Sequence, residues 1–282
     1  MKNKICLVTG ATSGIGQVTA RVLAQQGATV IIVGRNKEKC IQTTNNIREI
    51  TKNSSVEYIL SDLSIQNDVR KLAEQFLSKY NKLDVLINNA GVSIQKRQET
   101  VDGIEVTFAI NHLSHFLLTN LLLNVIKASE PARIINVSSA LHTRSSLNFD
   151  DLEGKKKYSS MDAYSKSKLA NILFTYELAR RLEGTRVTVN AVHPGLVSTN
   201  LSSNSSGFTK FVWNIMSIFA LNVEKGAESS VFLATSPDIK NITGKYYSKM
   251  NMVPSSEESY NEENAKRLWK VSLKMTGLSE QQ

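Results

Sequence analysis

The 282 residues carry 34 Lys and Arg against 25 Asp and Glu, a net charge of +9, and 41% of them are apolar. That apolar share supports a sizeable core and excludes a disordered chain. The charges are scattered, with Lys155-Lys156-Lys157 the longest basic run. The run reads as a solvated loop, and no nucleic-acid module accompanies it, so nucleic acid is not an expected partner, whereas a phosphorylated cofactor suits a basic chain.

Met1-Lys2-Asn3-Lys4 leads directly into Ile5–Val8, the first apolar strand. No room is left for a signal peptide or a spanning segment before it, and a cytoplasmic chain is expected. Cys6 in that strand and Cys40 in a later helix make no disulfide framework. The strand is followed by Thr9-Gly10-Ala11-Thr12-Ser13-Gly14-Ile15-Gly16. A helix comes next, with Ile15, Val18, Val22 and Leu23 on one face and Gly27 placed to close it in a left-handed conformation. The spacing Gly-x-x-x-Gly-x-Gly is not the common Gly-x-Gly-x-x-Gly dinucleotide fingerprint. The physics is shared: glycine lets the backbone turn tightly and approach pyrophosphate, and the helix offers free N–H groups and its positive dipole end. Gly10, Thr12, Ser13, Gly14, Ile15 and Gly16 are therefore candidate cofactor contacts.

The second strand, Thr29–Val33, closes with Gly34 and Arg35. A carboxylate there would accept from a ribose 2′-hydroxyl, whereas a guanidinium pairs with a 2′-phosphate, so NADP(H) is expected over NAD(H), with Lys37 a weaker second cation. After the third strand, Val56–Leu60, come Asp62 and Leu63. Asp62 suits either the adenine amino group, with Leu63 offering backbone, or a cap for the following helix. That helix carries Val69, Leu72, Phe76 and Leu77, and Ser64 is its candidate N-cap. The fourth strand, Val85–Asn88, ends in Asn88-Asn89-Ala90-Gly91. The small residues Ala90 and Gly91 let the chain pass close to adenosine while the amides of Asn88 and Asn89 pin neighbouring backbone; as a bare string it is equally a turn.

Asn111 falls within a long apolar helix, where a buried amide needs partners. It suits a water-mediated relay to Lys168, or alternatively a bend or cap of its own helix. His112 and His115 lack cysteine or carboxylate companions and read as core packing, so no metal is expected. The fifth strand, Arg133–Val137, leads to Ser138-Ser139 at the strand end where ligands meet an open α/β sheet. Ser139 is placed to bond a substrate oxygen, with Ser138 the alternative. Tyr164 and Lys168 stand four apart on one helix face. The ammonium beside the phenol eases its deprotonation and can also hold ribose hydroxyls, so Tyr164 is the candidate acid–base group.

The sixth strand, Arg186–Val192, runs into a Pro194-Gly195 turn, with Val197 and Thr199 set to meet the nicotinamide carboxamide and its flanking phosphate. Phe208, Phe211, Val212, Ile215, Met216 and Phe219 form one helical apolar face inside residues 201–222, readable as a substrate lid, a core helix or a shallow membrane contact. A seventh strand, Gly244–Tyr247, and a helical tail at about 257–277 complete the chain. The alternation predicts a single α/β domain over 1–282: a Rossmann-type, doubly wound parallel sheet of about seven strands.

Taken together, Thr9–Gly16, Asp62, Asn88–Gly91, Asn111, Ser139, Tyr164, Lys168 and Pro194-Gly195 resemble the short-chain dehydrogenase/reductase family over almost the whole chain. The resemblance implies a catalytic tetrad of Asn111, Ser139, Tyr164 and Lys168. A closer likeness to the retinol dehydrogenase branch rests on Tyr164–Phe174, the long Ala140–Ala163 connection and Ala265–Trp269. It implies an NADP(H)-dependent enzyme acting on a lipophilic aldehyde, ketone or alcohol such as a retinoid. Unlike the membrane-anchored members of that branch, this chain is expected to lack an N-terminal hydrophobic anchor; peripheral membrane contact and homo-oligomerisation stay open. The alternative is a catalytically silent NADP(H)-binding regulatory or scaffold protein.

Overall fold

The computed structural model describes residues 1–195 and 223–280. The strands are β1 Ile5–Thr9, β2 Thr29–Gly34, β3 Val56–Leu60, β4 Val85–Asn88, β5 Ala132–Val137, β6 Val187–His193, β7 Lys245–Ser248 and β8 Asn251–Met252. They form one sheet in the order β3-β2-β1-β4-β5-β6-β7-β8. The first seven are parallel, and β8 returns antiparallel on β7. The doubly wound fold is as expected. The eighth strand is an addition to the seven, since two residues, Asn251-Met252, carry no periodicity to read.

Leu7, Val8, Ile31, Ile32, Leu86 and Ile87 are each at most 1% exposed, because helices cover both sheet faces. Period-two alternation splits β1 between two cores. Leu7 joins Ile31, Phe76, Phe116, Phe174 and Trp269 on one face. Cys6 and Val8 join Leu23, Ile32 and Ile47 on the other. The first face is covered by α3 Gln66–Lys79, α5 Ser114–Leu121, α7 Ser160–Arg181 and α9 Glu262–Thr276, with the short α4 Val106–Phe108 and α6 Leu123–Lys127 flanking α5. The second is covered by α1 Gly14–Gln25, α2 Lys37–Thr51 and α8 Val223–Thr235. Phe116 meets Trp269 edge-on at 4.9 Å, tying α9 to α5. Burying one such ring contributes about 1.5–3 kcal/mol.

Gly27 closes α1 at φ +83°, with Ala28 N–H donating to the Leu23 carbonyl, as expected of a left-handed cap. Ser64 is not the N-cap of α3. Its N–H and hydroxyl both donate to Asp62 Oδ1, and the helix begins at Gln66, whose N–H donates to Asp102 of a distant loop. The apolar helix around Asn111 is also not continuous. A π-helical turn, Ala109–Leu113, separates α4 from α5, and Ser114 N–H donates to the Ala109 carbonyl five residues back. No helix among the described residues is long and apolar enough to cross a membrane. Val197, Thr199 and the segment 201–222 lie outside the described residues.

Candidate active site

The strand order reverses between β1 and β4, and the crevice at the carboxyl ends of these strands is where an open α/β sheet takes its ligand. Gly10 turns the chain there at φ +63°, and a Cβ on it would stand 2.8 Å from Ala90 Cα. On Gly16 a Cβ would stand 2.5 Å from the Gly10 carbonyl oxygen and overlap the Asn89 amide. Three segments therefore meet at contact distances that only glycine permits. Asn89 Nδ2 donates to the Thr9 carbonyl at 2.8 Å, while Thr9 Oγ1 accepts the N–H groups of Asn89 at 2.9 Å and Ala90 at 3.0 Å. Thr9 was not among the expected site residues; its signal is a hydroxyl on the last residue of a buried strand.

Thr12, Ser13, Gly14 and Ile15 follow in the same turn. Ser13 is exposed and extended, and its side chain does not cap α1, so the helix opens toward the crevice without a protein cap. An uncapped N-terminus behind a glycine turn fits a phosphate group. Arg35 stands exposed just past β2, and Gly34 leaves the room that Thr12 occupies, since a Cβ there would come within 2.5 Å of Thr12 Cγ2. Asp62 is half-buried after β3, where its carboxylate organises the turn through Ser64 rather than capping α3; Leu63 packs against the core beside it. The turn Ala90-Gly91 lies between the two halves of the site, with a Gly91 Cβ position 3.3 Å from Lys168 Nζ and 3.6 Å from Asn111 Oδ1.

On the other half, β5 delivers Ser138 and Ser139. Ser138 Oγ is buried and donates to the Lys168 carbonyl at 2.7 Å. Ser139 is half-buried, accepts from Leu141 N–H at 3.2 Å and lies beside the Tyr164 phenol. Of the two serines, Ser139 is thus the one that faces the acid–base pair. Lys168 is 2% exposed and its Nζ donates to the Val137 carbonyl at 3.0 Å, standing 5.5 Å from the centre of the Tyr164 ring. Asn111, fully buried in the π turn, grips Val92 on both sides: Oδ1 accepts its N–H at 2.8 Å and Nδ2 donates to its carbonyl at 2.9 Å. Asn111 Nδ2 also donates to Ser167 Oγ, which donates to the Tyr164 carbonyl. The amide therefore fixes the β4 turn to α7. Ser167 and Asn171, which donates to the Val137 carbonyl, were not singled out from sequence as site residues; polar groups beside Leu169, Ala170, Ile172 and Leu173 on a buried helix are the signal.

Pro194 and Gly195 follow β6 directly, and Gly195 turns the chain at φ +90°. The end of β6 meets the serine pair through Ser138 N–H, which donates to the Val192 carbonyl at 2.8 Å. His112 lies in the core, bonded to Ser272 at 2.9 Å, and so joins the π turn to α9. A cavity of about 640 Å³ lies elsewhere, at the amino ends of β6 and β7 between Tyr176, Arg180, Lys240 and Tyr260.

Burial sets the charge state of the reactive pair. It pushes Tyr164 up to about 12, although the Ser139 hydroxyl pulls it back, and it pushes Lys168 down to about 8. Near neutral pH the phenol is therefore protonated and the lysine largely charged. The arrangement is loaded to give a proton to an oxygen placed between Tyr164 and Ser139.

The sequence matches the short chain dehydrogenase family over residues 4–208. Retinol dehydrogenase 12 of Mus musculus is 44% identical over 275 residues, which cover 98% of this chain and 87% of that protein. Retinol dehydrogenase 11 of Homo sapiens is 42% identical over 278 residues, covering 99% and 87%. Among solved structures, an uncharacterized protein from Mycobacterium paratuberculosis superposes with a TM-score of 0.81 at 33% identity, covering 99% of this chain and 95% of that one. The Pseudomonas aeruginosa RhlG/NADP active-site complex superposes at 0.71 with 26% identity, covering 92% and 97%.

Proposed function

The chain belongs to the short chain dehydrogenase family of oxidoreductases, and we propose that it uses NADP(H) to interconvert a lipophilic aldehyde or ketone and its alcohol. The observation that carries the reading is the buried Lys168 ammonium held 5.5 Å from the Tyr164 ring, with Ser139 beside the phenol. Gly10, Gly14, Gly16 and the uncapped start of α1 hold the pyrophosphate, with Thr12, Ser13 and Ile15 alongside. Arg35 pairs with the 2′-phosphate, Asp62 and Leu63 meet adenine, and Asn89, Ala90 and Gly91 back the adenosine. Pro194 and Gly195 border the nicotinamide.

When bound, the reduced dinucleotide supplies the hydride. Ser139 Oγ holds the carbonyl oxygen, Tyr164 gives that oxygen its proton, and Lys168 steadies the resulting phenolate. Asn111 keeps the β4 turn and α7 in register and reconnects Lys168 to water. We read the chain as one domain. The names of the relatives support a retinoid-like substrate, and so does the apolar composition of the sequence at 208–219.

The test is a screen of aldehydes and ketones, retinal and straight-chain aldehydes included, followed by NADPH absorbance. Reduction is expected, with KM falling along the aldehyde series as each added methylene contributes ~0.8 kcal/mol. Bound NADPH with no carbonyl reduced would overturn the enzyme reading in favour of an NADP(H)-binding scaffold.

A further inference from the structure

His142 sits in the 3₁₀ turn Ala140–Arg144 just past Ser139 and is 1% exposed. Its ring makes two hydrogen bonds that fix its protonation. Nδ1 lies 2.7 Å from the Ser139 carbonyl oxygen, and Nε2 lies 3.0 Å from the backbone N–H of Ser256. A backbone N–H can only donate, so Nε2 carries a lone pair and the proton is on Nδ1. The Ser139 carbonyl thus accepts both the ring Nδ1–H and the His142 backbone N–H, the latter at 3.1 Å. The ring stands edge-on to Tyr246 of β7, centroids 5.0 Å apart, which fixes its plane.

The far end of this connection is anchored on the acid–base helix. Ser255, next to Ser256, pairs through Oγ with Tyr176 Oη at 2.7 Å and with Ser259 Oγ at 2.6 Å. Tyr176 belongs to α7, the helix of Tyr164 and Lys168. A circuit therefore runs from Ser139 through His142, Ser256, Ser255 and Tyr176 to α7. It joins the two elements whose relative position decides whether the serine hydroxyl and the phenol can share one oxygen.

Resting on the function proposed above, we propose that His142 is a positioning residue for the reaction: its neutral ring ties the Ser139 turn to the segment 255–259 and so to α7. An apolar residue of the same size would fill the space equally well. Burying a polar ring costs free energy unless its nitrogens are paired. Here both are paired, to backbone groups far apart in sequence, one of them 114 residues from His142, which is the requirement for holding a geometry rather than filling a core.

Three variants separate the bonds. His142→Phe removes both. His142→Asn keeps a donor where Nδ1 stood and loses the Ser256 bond. His142→Gln keeps an acceptor near Nε2 and loses the Ser139 bond. With NADPH saturating, each of the three variants cuts the tether at one end or both, so each should lower kcat for aldehyde reduction by roughly tenfold to a hundredfold, the scale on which a misplacement of ~1 Å acts. NADPH affinity should be unchanged in all three.

Amide hydrogen exchange gives a readout that does not need turnover. Leu141, bonded to Ser139 Oγ, should lose protection in His142→Phe and keep it in His142→Asn, whereas Ser256 should lose it in both. Wild-type kcat in any of the three variants would overturn the proposal, as would losses of activity that only track losses of Tm across them. If wild-type protein binds NADPH but reduces no carbonyl, the function reading fails and exchange still decides the tether: unchanged Leu141 protection in His142→Phe overturns it.

Discussion

The glycine turn after β1 and the acid–base helix α7 meet at the same end of the sheet, yet they are built by opposite means. The first is a backbone construction. Gly10 and Gly16 supply absence of side chain, Ala90 and Asn89 occupy the space, and the open start of α1 faces outward. The second is a side-chain construction held from several directions. Lys168 is anchored on Val137, Ser138 on Lys168, Asn111 on Val92 and Ser167, and His142 on Ser139. A backbone cradle tolerates no added atom but needs few partners. A buried charged and polar cluster tolerates no missing partner, because each unpaired group costs about 1–3 kcal/mol. Substitutions on the first side should therefore change cofactor affinity, and those on the second should change turnover.

Lys168 belongs to both sides and gives the larger effect. Lys168→Ala should lower kcat for reduction by roughly a hundredfold or more and also weaken NADPH, because in the proposed reaction the ammonium serves phenol and ribose alike. Its pKa, held near 8 by burial instead of 10.5, sets the pH dependence. The charged form is the one that steadies the phenolate. The reduction rate should therefore be flat through neutral pH and fall as pH rises through about 8. Oxidation needs the phenolate as base, which the same ammonium steadies, so it should gain nothing as the lysine loses its proton over that range. The alkaline fall should disappear in Lys168→Ala; a fall that persists there would assign it to another group.

Arg35→Ala probes the cradle side and is the smaller effect. The lost charge-assisted bonds are worth ~1.5–3 kcal/mol, so NADPH should bind roughly tenfold to a hundredfold more weakly. NADH, which has no 2′-phosphate, should bind as before, and kcat at saturating NADPH should hold. Equal weakening of both cofactors by fluorescence titration would remove Arg35 from the phosphate site and blur the division between the two regions.

The cradle was the more legible half, because its determinants are local. Gly10, Gly14 and Gly16 follow a β-branched strand and precede an amphipathic helix within a dozen residues. Tyr164 and Lys168 were legible for the same reason, four apart on one helix. What sequence did not disclose depends on contacts far along the chain. Ser64 looked like a helix cap, but Asp62 captures it and Asp102 reaches Gln66 from elsewhere. Asn111 looked buried in a plain helix, whereas it stands in a π turn and bonds Ser167 of α7, 56 residues along the chain. His142 carried no local signal, since its partner Ser256 lies 114 residues away. The strand β8 was too short to show any period.

The central claim is that Tyr164 transfers the proton while the glycine cradle independently holds the cofactor. Tyr164→Phe keeps the ring, so its packing beside Lys168 is retained, and removes only the hydroxyl. The most direct measurement is NADPH affinity and aldehyde reduction in that one variant. The account predicts an NADPH Kd close to wild type and a kcat lower by about 10²–10⁴-fold, the range of a lost general acid. Wild-type turnover in Tyr164→Phe, or NADPH binding lost along with it, would contradict the account.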